Sequence, residues 1–213
     1  GGAKAIGARA YGTQSVKKVD KIVGPGNNYV TAAKKRVYRQ VGIDFTAGPS
    51  EILIVADKYA NPSFIAADLI AQAEHDVNAK SLLVTESEGL SKEVIREEEK
   101  QLKGLETEKI ARQSLSKNGI IVMVNNIDEA VDFANRKAPE RLELQIKNPE
   151  FLIRRLKNYG SLFIGEYASE VLGDYSSGLN HILPTNFASR YSGGLSVKAF
   201  FKIQTTLRVD KQG

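Results

Sequence analysis

Cysteine is absent from the 213 residues. That excludes disulfides, thiolate metal sites and a cysteine nucleophile, and it fits a reducing compartment. No apolar run approaches the ~18 residues needed to span a bilayer, so the chain is expected to be soluble, with no membrane partner. Histidine occurs only as His75 and His181, which leaves a histidine-dependent mechanism few parts. Nor is there much charge of one sign: 30 Lys and Arg against 25 Asp and Glu leave a formal +5. A surplus this small, spread along the chain, argues against a nucleic-acid partner, since such binders concentrate basic residues on one stripe. The runs Lys34-Lys35-Arg36 and Arg154-Arg155 could mark a basic interaction module but read more simply as solvated helix faces. There is no linker rich in Pro, Gly or Ser and no repeat of fixed period. The opening Gly1-Gly2-Ala3 has neither an initiator Met nor the layout of a signal peptide, and reads as a piece of something longer.

What is present is an ordinary globular composition, 42% hydrophobic and 26% charged. At 23.3 kDa a folded monomer should expose about 9,700 Å² against about 34,000 Å² unfolded, enough for a sizeable core. Short β-branched runs alternate with helix-period stretches: candidate strands are Lys21 to Val23, Glu51 to Ala56, Ser81 to Thr85, Gly119 to Val124, Leu142 to Ile146 and Ser161 to Ile164. The runs 52–55 and 120–124 are apolar at every position, as for strands covered on both faces. Asn61-Pro62, Asn126 with Glu129, and Asn148-Pro149 read as helix starts. Ser91 to Lys117, interrupted at Gly104, reads as one or two charged surface helices. The pattern predicts an α/β fold: a doubly wound, mostly parallel sheet with helices on both faces, Rossmann-like and three-layered. In such sheets ligands gather at the carboxyl ends of the strands. The longest irregular segment, Leu172 to Ser196, is a candidate functional loop.

Several segments could carry chemistry. Gly24-Pro25-Gly26-Asn27, Ala47-Gly48-Pro49-Ser50 and Gly173-Asp174-Tyr175-Ser176-Ser177-Gly178 are small-residue turns of the kind that lets backbone N–H groups approach an anion. Each is equally explained as a tight turn, and none has dinucleotide-fingerprint or P-loop spacing. In Gln72-Ala73-Glu74-His75, residues three apart share a helical face, so Gln72 and His75 could converge on a divalent ion if a carboxylate joined them. The alternative is a His75 favoured by the dipole at a helix C-terminus.

Taken together and in order, Val19-Asp20-Lys21-Ile22-Val23-Gly24-Pro25-Gly26-Asn27, Ala47-Gly48-Pro49-Ser50-Glu51, Gln72-Ala73-Glu74-His75, Ala138-Pro139-Glu140, Gly173-Asp174-Tyr175 and Asn180-His181-Ile182-Leu183-Pro184-Thr185 resemble histidinol dehydrogenase. The likeness extends from Gly1 to about Phe201. It implies a zinc-dependent, NAD-linked, homodimeric, cytoplasmic enzyme that oxidises L-histidinol through the aldehyde to L-histidine. By resemblance Gln72, His75 and Asp174 would be metal ligands. Ser50, Gln72, His75 and Asp174 would contact substrate, with Tyr175 close by. Asn27 and position 4 would contact NAD, and Glu140 would be the acid–base residue. Members of that family are longer, so the chain resembles their middle portion: a single α/β domain over 1–213, in which 1–46 resembles the end of the NAD-binding domain and 47–200 the metal- and substrate-binding domain.

The departures point one way. The family's general-base histidine is here Arg141, whose guanidinium stays charged and cannot accept a proton near neutrality. Its NAD-contacting glutamine is Lys4. A further metal-ligating histidine and a substrate-binding glutamate would fall beyond Gly213, and an NAD-contacting tyrosine before Gly1. The resemblance loosens at Asn186-Phe187. The sequence therefore reads as a fragment or stand-alone domain with little or no activity alone, holding zinc and NAD weakly or not at all. The alternative is a dehydrogenase of histidinol, or of a related amino alcohol, that another chain completes.

Overall fold

The computed structural model describes residues 1–46, 48–173, 175 and 177–211. The first unit comprises α1 (Gly2–Tyr11), β1 (Lys21–Ile22), α2 (Asn28–Val37) and β2 (Gly42–Ile43). It packs around Ile6, Ala10, Ile22, Val37 and Val41. Asn27 starts α2, its Oδ1 accepting from the N–H groups of Tyr29 at 3.1 Å and Val30 at 3.2 Å. Lys34 is buried on α2. Its ammonium donates to Asp44 Oδ1 at 2.7 Å and to the Gly24 carbonyl, while Asp44 Oδ2 accepts from Gly24 N–H at 2.8 Å. One ion pair thus fixes the 24–27 turn. The strand expected at Lys21 to Val23 joins no large sheet: β1 pairs with β2 alone. β2 is two residues long, too short for any periodicity to mark it.

The main sheet contains β3 (Glu51–Ala56), β4 (Lys80–Thr85), β5 (Ile120–Met123), β6 (Arg141–Gln145) and β7 (Ser161–Ile164), in the order β5-β4-β3-β6-β7, every pairing parallel. On one face lie α3 (Pro62–Ala73) and α4 (Glu88–Leu102), with Ile65, Leu69, Leu90 and Val94 against Ile52, Ile54 and Leu83. Ala111 of α5 (Glu108–Asn118) closes over Ile70, Ala73 and Leu102. On the other, α6 (Ile127–Lys137) and α7 (Glu150–Ile153) bring Ala130, Val131, Ala134 and Leu152 to Leu53, Val55, Leu142 and Leu144. This is the three-layered, helix-covered parallel sheet that the alternation predicts. No helix among the described residues is long and apolar enough to cross a membrane.

Local signals mostly hold. Asn61 caps α3 and Pro62 opens it. The 91–117 stretch divides at Gly104, whose φ of +85° suits glycine, into α4 and α5. Two expectations fail. Residues 120–124 are not covered on both faces: β5 is an edge strand, with Ile120 and Met123 51% and 47% exposed. Asn148 caps nothing, since α7 begins at Glu150 without a side-chain cap. Asn126 does open α6, its Oδ1 accepting from Glu129 N–H at 3.0 Å, while the Glu129 carboxylate accepts from the N–H of Asn125, one residue before the position a full capping box requires.

One feature of the core is polar. Side chains alternate across a strand, so Leu142 and Leu144 enter the α6 layer while Arg141, Glu143 and Gln145 line up under α3, all five buried. Asp68 and Gln72, four residues apart on α3, lie over them. Arg141 Nη1 donates to Gln72 Oε1 at 2.9 Å and its Nε meets Glu170 Oε2 at 3.0 Å. Gln145 donates to Glu143, and Ser169 to Asp68. Burial, then the neighbouring Asp68 charge, pushes the Glu143 carboxyl up to about 9, while burial raises Asp68 as the Ser169 hydroxyl opposes it. Glu143 and Asp68 hydrogen-bond to each other, and at neutral pH the pair retains a proton.

Two outcomes follow from this packing. Leu144→Ala should lower unfolding free energy by about 2–5 kcal/mol in urea titration, because Leu144 is fully buried between sheet and helix. A carboxyl raised by folding stabilises below its unfolded pKa and loses that contribution as pH rises through the folded value. Wild type should therefore lose stability relative to Glu143→Gln between the ordinary value of 4.5 and about 9. Parallel pH profiles would show that no proton is held there.

Candidate active site

Four segments entering or flanking the sheet at its amino edge fold over one another. α6 ends at Ala138, a buried alanine in the left-handed region (φ +48°, ψ +60°), which turns the chain into Pro139-Glu140 and on into β6. Glu140 Oε2 accepts from the N–H of Glu51 at 3.0 Å, joining the starts of β6 and β3. Gly160 enters β7 so close to this turn that a Cβ would stand 2.4 Å from the Glu140 carbonyl. From the long loop, Thr185 Oγ1 accepts from Gly48 N–H at 2.5 Å and Ser189 Oγ donates to the Pro139 carbonyl at 3.1 Å. Asn186 and Phe187 are both left-handed, φ +57° and +68°. Two successive strained residues mark where this loop turns away from the cleft.

These segments enclose a cleft of about 140 Å³ bordered by Phe45, Ser50, Glu140, Arg141, His181 and Thr185. Burial pushes the Glu140 carboxyl up to about 7, although the Arg141 guanidinium and the Glu51 N–H pull it down. A carboxyl poised there can both give and take a proton near neutrality. A second recess of about 210 Å³ adjoins it, bordered by Asn27, Gly48, Ser50, Asp76 and Asn78.

The residues singled out from the sequence fall into distinct places. Ser50, Glu140 and Arg141 share the cleft, and Asn27 reaches the adjoining recess, with its Oδ1 committed to the start of α2. Gln72 is wholly buried behind the cleft on Arg141. His75 lies in the turn that follows α3, with an exposed side chain, whereas Gln72 is buried. Tyr175 is 68% exposed and Lys4 lies exposed on α1. Asp174 lies outside the described residues. The expectation that ligand residues sit at carboxyl ends is corrected as well. Ser50 immediately precedes β3 and Glu140 immediately precedes β6, so the cleft opens at the amino edge. Reasoning from motifs left two participants aside. His181 stands at the rim of the cleft, and the Asn-His-x-Leu-Pro-Thr run signals it. Glu170, which partners Arg141, follows no motif.

Cation chemistry at this cleft depends on donors. Among the described residues no group of three or more His, Asp or Glu could hold a metal ion. The Gln72 oxygen that would serve as a ligand already accepts from a guanidinium.

A sequence profile of the family described as histidinol dehydrogenase matches residues 1–213. The histidinol dehydrogenase of Methanothermobacter thermautotrophicus is 50% identical over all of this chain and 50% of its own length, and that of Bacillus anthracis is 52% identical over 95% of the chain and 47% of its length. The crystal structure of histidinol dehydrogenase from Elizabethkingia anophelis superposes with a TM-score of 0.91 at 43% identity, covering 95% of this chain and 47% of that one. An acetylating aldehyde dehydrogenase from Geobacillus thermoglucosidasius, at 12% identity and a TM-score of 0.54, shares the fold alone. The chain spans about half the length of the relatives it matches. Uninterrupted agreement from the first residue to the last, on a sheet that superposes this closely, establishes that the chain belongs to the histidinol dehydrogenase family.

Proposed function

We propose that this chain carries the amino-edge portion of a histidinol dehydrogenase-type site, that it offers a small amino alcohol the Ser50 hydroxyl and the Glu140 carboxyl, and that it does not by itself oxidise histidinol. The observation that carries this reading is the 2.9 Å hydrogen bond from Arg141 to Gln72 Oε1. Arg141 occupies the general-base position of the family and cannot accept a proton near neutral pH. Its guanidinium also takes the oxygen that a metal would need. Two unit charges about 4 Å apart oppose each other by about 4 kcal/mol at an effective dielectric constant of about 20, and a dication doubles that.

The residues present therefore do not suit a zinc ion held through Gln72, and no step is routed through one. Glu140 keeps a workable role as proton carrier, with Ser50 as the nearby donor and acceptor. Contacts of Asn27 and Lys4 with NAD belong to the same proposal. In it, residues 1–46 are the end of a cofactor-binding unit and 47–200 the substrate-side unit. The two-stranded sheet with its own small core supports that division. Zero cysteines support a cytoplasmic setting.

One observation favours the second reading, that another chain completes the site. The chain exposes 13,226 Å², against about 9,700 Å² for a folded monomer of this mass. Along 201–209, Phe201, Ile203, Leu207 and Val209 are 70%, 93%, 88% and 65% exposed and alternate with polar residues, the pattern of a strand with one face to bury.

The test is NADH formation. Purified chain with Zn²⁺, NAD and histidinol should produce none above buffer, and elemental analysis after gel filtration should find no stoichiometric zinc. Arg141→His should raise zinc retention by at least about tenfold by releasing Gln72. Turnover by the unmodified chain, or stoichiometric zinc in it that Gln72→Ala removes, would overturn the reading.

A further inference from the structure

The sheet has a second edge that the amino-edge cleft does not use. From β3 the chain winds outward through β4 and β5, then returns to lay β6 and β7 on the opposite side of β3. The winding therefore reverses between β3 and β6, and at the carboxyl ends of these two strands no crossover covers the gap. Crevices at such a reversal are where open parallel sheets bind ligands. Here the carboxyl ends are Ala56 and Gln145, and a cleft of about 420 Å³ opens beyond them, bordered by Tyr59, Gln145, Ile146, Lys147, Pro149 and Glu166.

The cleft is preformed. Asp57, the first residue after β3, accepts from Tyr59 N–H through Oδ1 at 2.9 Å and from Lys147 N–H through Oδ2 at 2.9 Å. Its own N–H donates to the Gln145 carbonyl at 3.2 Å. One carboxylate thus ties both walls together and is fully committed in doing so. The charge at the mouth is cationic. The Lys147 and Lys58 ammoniums lie 4.8 and 5.2 Å from the centroid of the Tyr59 ring, which is 63% exposed. Among the described residues neither ammonium is within ion-pair distance of a carboxylate. Two ammoniums beside one aromatic ring, neither in an ion pair, leave N–H groups to an anion. Ile146 and Pro149 supply apolar wall, and Glu166 supplies an acceptor suited to a hydroxyl.

We propose that this carboxyl-edge cleft is a second ligand site, separate from the amino-edge cleft, that takes a phosphomonoester bearing a planar ring, of nucleoside monophosphate size. The phosphate is held by Lys58 and Lys147, the ring by Tyr59, Ile146 and Pro149, and a sugar hydroxyl by Glu166. The volume lies within the range of small-ligand pockets, and a free phosphate would leave the apolar wall unused.

The test is isothermal titration of the full chain with AMP, adenosine and inorganic phosphate. AMP should bind at one site with a dissociation constant on the order of 0.1 mM, and adenosine and phosphate at least about tenfold more weakly. Lys147→Ala should weaken AMP about tenfold and flatten its salt dependence. Tyr59→Ala should weaken adenosine as well as AMP. Both side chains are exposed enough for the variants to keep the parent melting temperature, and AMP binding should survive Glu140→Gln at the opposite edge. The proposal fails if AMP gives no saturable heat up to about 5 mM. It fails equally if phosphate binds as tightly as AMP, or if Glu140→Gln abolishes binding while Lys147→Ala spares it.

Discussion

A guanidinium buried between α3 and β6 cannot shed its proton, so everything around it must accept that charge. Arg141 meets the Gln72 oxygen on one side and the Glu170 carboxylate on the other. Removing either partner would leave charge in a low-dielectric interior, which costs several kcal/mol. Two residues further along the same stripe, Glu143 meets Asp68 of α3. Burial first, then the Asp68 charge and least of all the Glu170 carboxylate raise the Glu143 carboxyl, and the Glu143–Asp68 pair keeps a proton. The sheet tolerates a polar face because its groups meet one another: Arg141 meets Gln72 and Glu170, Glu143 meets Asp68, and Gln145 donates to Glu143.

The same row separates two kinds of surface. At the amino edge the loops are tied to one another, Thr185 to Gly48, Ser189 to Pro139 and Glu140 to Glu51. They form a small cleft with a carboxyl near its midpoint at neutral pH. At the carboxyl edge Asp57 ties the loops after β3 and β6 together, and these loops present cations and an aromatic ring. Proton transfer suits the first, where burial tunes the acid, and anion capture suits the second, where ammoniums stay solvated and unpaired. A parallel sheet supports both because its helices cover the faces and leave the two edges to the connecting loops.

How much of this was legible in the sequence depends on the scale of the interaction. The apolar run of Ile52 to Val55 and the Asn61-Pro62 start are local, and the structure places β3 and α3 where those signals put them. The family motifs located Ser50 and Glu140, which meet in the cleft. One error arose from ignoring neighbours: Ile120 to Val124 is apolar enough for a central strand yet is the last in the sheet. The buried stripe was written in plain view as Arg141-Leu142-Glu143-Leu144-Gln145, strict polar and apolar alternation. Alternation is normally the mark of one wet face. What covers the polar side, Asp68 and Glu170, comes from elsewhere in the chain and has no local signature.

The coupling between positions 141 and 170 bears on how such a site could change its chemistry. A neutral histidine at 141 would release the Gln72 oxygen but would also strip Glu170 of its counter-charge. That buried carboxylate must then take up a proton or find another cation. A dication held through the freed oxygen would supply the missing charge and satisfy both groups at once. Guanidinium and metal are thus alternative solutions to one electrostatic problem, and Glu170 favours whichever cation is present. In the chain as it stands the cation is covalently attached, at fixed stoichiometry and independent of metal supply. Arg141 satisfies Gln72 and Glu170 without a metal, and it gives up the proton acceptor that a histidine would have provided.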